Sequence, residues 1–145
     1  MPLLPTNASP IPFRRNRLWY ALSGALVIAM GLLWRSRLLP LSRFQFKYGG
    51  DSLWALVVFL AFGFAFPTQS TRRIVFLSVL FSWTVEFLQL YHTPWIEQIR
   101  ATLPGRLILG STYHTQDLLA YLVGIAIGAI AERFFFGSKN RAIPD

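Results

Sequence analysis

Four apolar runs dominate the chain: Leu18–Trp34, Leu53–Phe66, Ile74–Leu90 and Leu118–Phe136, with short polar and charged segments between them. Within each run the apolar residues are nearly continuous, with no amphipathic spacing, as in helices enclosed by hydrocarbon or protein on all sides. Crossing a bilayer takes about 20 residues, with a range of roughly 17–25. The first, third and fourth runs meet that length. The second meets it only if Tyr48–Ser52 or Pro67–Gln69 joins it. The expected fold is all-α: an integral membrane four-helix bundle over 18–136. A Pro-rich cytoplasmic tail (1–17) carrying Pro2, Pro5, Pro10 and Pro12 precedes it, and a polar C-terminal tail (137–145) follows.

The connecting segments have patterns of their own. Pro94–Leu103 predicts a short interfacial helix, with Thr93 as cap, Pro94 in the first position and Pro104-Gly105 as its stop. Trp95, Ile96, Ile99 and Leu103 share one side of it and Glu97, Gln98 and Arg100 the other, which suits the membrane interface. Phe44, Phe46 and Tyr48 alternate with Arg43, Gln45 and Lys47, predicting an extended strip with an aromatic and a basic face. The two loops also echo each other. Arg37 and Arg43 bracket Pro40, Arg100 and Arg106 bracket Pro104, and each loop runs into Asp-x-Leu at Asp51 or Asp117, as a parallel internal repeat would.

Composition agrees with a membrane protein. Hydrophobic residues make up 54% of the 145, and mean hydropathy is +0.45. The net charge of +8 raises nucleic-acid binding, but the basic residues bracket apolar runs instead of lining one face, so no nucleic-acid partner is expected. Such flanking charges orient spans and meet anionic lipid. Eight Lys and Arg fall in the tail, middle loop and C-terminus against six in the other two loops, favouring both termini in the cytoplasm. Arg14, Arg15 and Arg17 before an apolar run resemble a signal peptide, but no small-residue cleavage site follows, so the expectation is an uncleaved first span. With no cysteine, disulfides and thiolate chemistry are excluded. Trp19, Trp34, Trp54 and Trp95 read as interfacial anchors.

The candidate chemistry starts at Glu86, inside the third run. A carboxylate at mid-span costs of order 2.5–3.5 kcal/mol by insertion scales, so it faces protein or water and finds a partner. Glu86 lies about 7 Å in from Tyr91 at 1.5 Å per residue, and Gln89 follows one turn later on the same face. Four alternating spans bring one set of ends together, gathering Arg35, Arg37, Asp51, Glu86, Gln89, Arg100, Arg106, Asp117 and Tyr121 at one rim. The opposite halves of the spans look almost free of polar residues. Asp117, Tyr121, Gly124 and Gly128 share a stripe, and Gly124-x-x-x-Gly128 permits close helix approach. Ala21, Ala25 and Ala29 offer a similar stripe on the first helix.

Three roles fit that rim: an ion-pair network neutralising Glu86 and Asp117 with Arg37, Arg100 or Arg106; a pocket clamping an anionic headgroup with arginines; or acid–base catalysis by Glu86, Asp117 or His114. A metal site from His92, His114, Glu86, Glu97 and Asp117 lacks ligand spacing, and the surplus of arginine opposes it. No nucleophile motif or phosphate loop is visible, and no cofactor is expected.

The segments Arg35-Ser-Arg37-Leu-Leu-Pro40, Tyr48-Gly-Gly-Asp51-Ser-Leu-Trp54, Glu86-Phe-Leu-Gln89-Leu-Tyr91, Arg100 to Gly110 and Asp117-Leu-Leu-Ala-Tyr121 resemble an uncharacterised family of small bacterial inner-membrane proteins, over roughly 34–128. More distantly the chain is similar to VanZ, a small four-span protein linked to teicoplanin resistance. The shared features are an Asp opening the second span, Glu-x-x-Gln in the third, Arg in the last loop and Asp opening the fourth. VanZ-like proteins usually carry Asn and Gly after that last Asp, where this chain has Tyr121 and Gly124. The resemblance implies a multi-pass bacterial inner-membrane protein and names no reaction. The expected partners are membrane lipids and, at the rim, an anionic envelope lipid or lipid-linked precursor.

Overall fold

The computed structural model describes residues 14–36, 38–40, 42–110 and 113–136. Among these there are six α-helices and no strand: α1 (Arg17–Arg35), α2 (Gly50–Ala65), α3 (Thr71–Leu88), α4 (Pro94–Ala101), α5 (Leu103–Leu109) and α6 (Asp117–Phe136). The expected tails at 1–13 and 137–145 lie outside the described residues.

Three helices are long and apolar enough to cross a membrane: α1, α6, and α2 with the π-helical turn Gln45–Gly49 that leads into it. That turn supplies the length the second run lacks, through Tyr48–Ser52 and not Pro67–Gln69. It also replaces the extended strip expected around Phe44–Tyr48, since residues 43–49 are helical. Proline sets the other end: α2 stops at Ala65, and the proline ring at Pro67 disfavours helical backbone at Phe66. Helix α3 spans 18 residues but includes Arg72, Arg73 and Glu86.

Side-chain caps define several starts. Asn16 Oδ1 accepts from the Leu18 N–H at 2.9 Å, and Ser70 Oγ from Arg73 N–H at 3.4 Å. The loop before α6 departs from expectation. Its helix ends at Ala101, and Thr102 then caps a second one by accepting from Gly105 N–H at 3.1 Å. Pro104 therefore starts a helix, in the first turn where its missing N–H is harmless. Thr93 makes no capping bond; its hydroxyl is buried without a hydrogen-bond partner.

Helix α2 is the hub, packing against α1, α3 and α6, with α3 also against α6. Trp34 Nε1 donates to Gln45 O (2.9 Å) at one end of the α1–α2 pair, and Arg15 N–H donates to Pro67 O (2.9 Å) at the other, so the two are antiparallel. Glycines set the spacing. A Cβ at Gly63 would overlap the Tyr20 ring, and one at Gly124 would overlap the Ser52 carbonyl oxygen of α2. Ser52 Oγ donates to Ala120 O at 2.9 Å across that contact. The Gly124–Gly128 pair thus joins α6 to α2 as the stripe predicts. The alanine stripe of α1 does not pack: Ala21, Ala25 and Ala29 are exposed, and the α1 rings that pack are Tyr20 against Gly63 of α2 and Trp34 against Gly49 of the turn before it. Spacing alone does not decide which face of α1 packs; the larger rings of Tyr20 and Trp34 gain more by burial against Gly63 and Gly49. The core comprises Ala55, Phe59, Ile74, Tyr121 and Ile125. Trp54, expected as an anchor, is half-buried beside it, its ring 5.3 Å from Tyr121 and 6.3 Å from Phe81.

Candidate functional site

The start of α2, the end of α3 and the start of α6 meet at one end of the helices. Glu86 is fully buried there, one turn before α3 ends. Its Oε2 accepts from Gln89 Nε2 (3.0 Å) and the Tyr121 hydroxyl (2.8 Å), and its Oε1 from the His114 backbone N–H (2.7 Å). Three neutral donors satisfy the carboxylate and tie α3 to α6 and to the segment before it. Gln89 reaches it past Gly110, which at φ 63° lies against the Gln89 amide, and a Cβ there would collide with it.

Among the described residues, no arginine forms an ion pair with Glu86. Arg100 is buried but turned to the end of α3, donating to Leu88 O (2.7 Å), Tyr91 O (3.1 Å) and Glu97 Oε1 (2.8 Å). It is a second donor to Leu88 O, which already accepts from Tyr91 N–H, and sits where a cation meets the negative end of the helix dipole. Arg106 is exposed with no ion pair among the described residues, and Arg37 lies outside them. Among the described residues, the expected pairing of Glu86 and Asp117 with Arg100 or Arg106 gives way to neutral donors at Glu86 and a lysine at Asp117, and the Arg37 alternative lies outside them.

That lysine is Lys47, a residue the sequence reading left out of the site. Its Nζ lies 2.8 Å from Asp117 Oδ1 in the first turn of α6. Beside it, Tyr48 donates its hydroxyl to Gln116 Oε1 at 2.6 Å. Asp51, in the first turn of α2, has Arg35 Nη2 at 3.8 Å, and its buried Oδ2 has no hydrogen-bond partner. The aspartate side chains are 15% and 8% exposed, whereas Arg35 and Lys47 are 46% and 34% exposed. Each cation therefore has a carboxylate less exposed than itself beside it, and each remains partly open to solvent. Asp51, Glu86 and Asp117 are near enough to Tyr121 to act on its hydroxyl electrostatically. Among the described residues, no three His, Asp or Glu side chains gather into a metal-binding group.

A second polar cluster occupies the opposite end, where the sequence suggested almost none. Arg15 is fully buried, with Nη2 2.6 Å from Glu132 Oε1 and Nε 3.0 Å from Oε2. The Tyr20 hydroxyl donates to Glu132 Oε2 (2.7 Å), the Thr71 hydroxyl donates to Oε1, and Arg15 Nη1 donates to the Gln69 carbonyl. The signal was available: Glu132 is a carboxylate within an apolar run, as Glu86 is.

The Glu86 geometry carries a direct expectation. Glu86→Gln leaves one acceptor oxygen for three donors and turns an amide NH2 toward one of them. It should destabilise the protein by about 1–3 kcal/mol. Hydrogen exchange at the His114 amide should accelerate. A second change at Tyr121 (Tyr121→Phe) should add less than its separate effect, since both act on one network. Unchanged protection at His114 would rule out the network.

No solved structure matches the chain. The pattern of one family, described as protein of unknown function (DUF2809), matches residues 41–125, the segment carrying Asp51, Glu86, Asp117 and Tyr121. That match covers more than half of the sequence, and the chain belongs to this family.

Proposed function

We propose that this small membrane protein crosses the bilayer four times, α3 included, and binds the anionic headgroup of an envelope lipid or lipid-linked precursor at the Asp51–Asp117 rim. The observation that carries this reading is the seating of Arg35 and Lys47. Each cation lies beside an aspartate less exposed than itself, at 3.8 Å for Arg35 and 2.8 Å for Lys47, and stays partly open to a ligand. A preorganised pair of charges binds phosphate or carboxylate with less ordering cost than free side chains do. In this reading the host is the inner membrane of a bacterium with both termini cytoplasmic, which places the rim on the periplasmic side. Arg72 and Arg73 at the start of α3 then lie in the cytoplasmic headgroup layer, where basic residues belong.

The test is mass spectrometry of lipid retained by the purified full-length protein. Arg35→Gln with Lys47→Gln should lower retained anionic lipid by about tenfold, a loss near 1.4 kcal/mol. An unchanged lipid complement in a folded variant would overturn the proposal. A second reading, a purely structural rim, is favoured by one observation: both Glu86 oxygens are taken by donors from the protein itself. It expects Glu86→Gln to alter stability and leave lipid retention untouched.

A further inference from the structure

We propose that the groove between the end of α1, the π-helical turn and the start of α6 holds one acyl chain, so that the rim's ligand is a bilayer lipid gripped by headgroup and chain together. This rests on the headgroup reading above and adds the class of molecule. The groove has a volume of about 550 Å³, within the usual range of ligand sites. Trp34, Phe44, Leu119, Ala120 and Val123 give it apolar walls.

Several polar groups along it are engaged with one another: Trp34 Nε1 donates to Gln45 O, the Tyr48 hydroxyl to Gln116 Oε1, and Ser52 Oγ to Ala120 O. Among the described residues, the side-chain amide nitrogens of Gln45 and Gln116 are left over, against five apolar wall residues, so the groove suits hydrocarbon over water or sugar. Its walls Phe44, Leu119 and Val123 are exposed. Leu119 and Val123 lie on α6, a helix apolar enough to cross a membrane. A chain enters sideways from the bilayer, with no passage through water.

Charge fixes the other half of the ligand. Three ring-bearing wall residues each have a cation as chain neighbour: Arg35 follows Trp34, Arg43 precedes Phe44, and Lys47 precedes Tyr48. Asp51 and Asp117 are the acidic partners of Arg35 and Lys47, whereas Arg43 is exposed and has no ion pair among the described residues. Among these three, Arg43 is the cation left over, next in sequence to the wall residue Phe44. That combination complements an anionic phospholipid better than a zwitterionic one.

The experiment uses the full-length protein, equilibrated with vesicles of equal dioleoyl-phosphatidylglycerol and dioleoyl-phosphatidylcholine and examined by native mass spectrometry. Val123→Trp fills the slot from an exposed position away from the cations, and Leu119→Trp repeats the test from the neighbouring turn. Both should cut retained phospholipid of either headgroup by about tenfold or more. Arg43→Gln should keep the lipid but abolish the preference for phosphatidylglycerol. Full retention in both tryptophan variants overturns the slot. If, in addition, Arg35→Gln with Lys47→Gln still lowers anionic lipid, the headgroup reading stands alone. If the tryptophan variants lose lipid while no charge substitution alters preference, the slot stands and the headgroup reading falls. A change from dimer to monomer in Val123→Trp with lipid unaffected assigns the groove to a second copy of the chain and overturns the slot as well.

Discussion

Glu132→Gln should destabilise the protein by about 3–5 kcal/mol, the loss typical of removing one partner from a buried ion pair. Arg15 is fully buried, and Glu132 is the acidic partner of its guanidinium. The amide that replaces the carboxylate carries no charge, leaves one acceptor oxygen for the Arg15 guanidinium and the Tyr20 and Thr71 hydroxyls together, and turns an NH2 toward one of these donors. An SDS-unfolding midpoint in mixed micelles measures the effect. The companion variant removes both charges. Arg15→Met with Glu132→Leu should regain most of the lost stability, because well-packed apolar groups replace buried ion pairs at little net loss. Equal midpoints for the wild type and Glu132→Gln would show that the cluster does not bear on stability.

Gly124→Val should be comparably severe, at or above the ~3 kcal/mol upper end of ordinary overpacking. The new side chain meets main chain, the Ser52 carbonyl, and cannot be relieved by a rotamer change. Helices α2 and α6 must separate, losing the Ser52–Ala120 hydrogen bond and the packing of Phe59 on Gly128. Gly24→Ala in α1 is the control, since a Cβ there has no neighbour within 4 Å. It should be silent or stabilise by about 0.5–1 kcal/mol through lower chain entropy. Similar unfolding midpoints for the two variants would contradict the α2–α6 contact.

Much of this was legible from the chain because hydrocarbon imposes simple rules. Continuous apolar runs located all four long helices, and alternation brought Asp51, Glu86, Gln89, Asp117 and Tyr121 to one end without reference to orientation. Side-chain pairing was not legible. Every arginine near the rim was a plausible partner by charge, but reach and competing acceptors decide. Arg100 sits beside the Leu88 and Tyr91 carbonyls at and just past the end of α3 and donates to them, leaving Glu86 to hydroxyl, amide and backbone donors. Lys47 was hidden because the segment around it looked extended, with its basic face toward water. Helical winding instead places it one turn before Asp51 and against Asp117. Arg15 was hidden for another reason: lying among Arg14 and Arg17, it passed for a topological charge, and its partner stands 117 residues later.

That separation orders biogenesis. The N-terminal helix leaves the ribosome, and the next two long helices are made, before the carboxylate that pairs with Arg15 exists. Only when the final helix emerges does Glu132 arrive. A nascent chain halted before that point lacks this ion pair between its first and last helices. Truncation near the C-terminus should therefore be detected by membrane quality-control proteases even though most of the hydrophobic length is already in place.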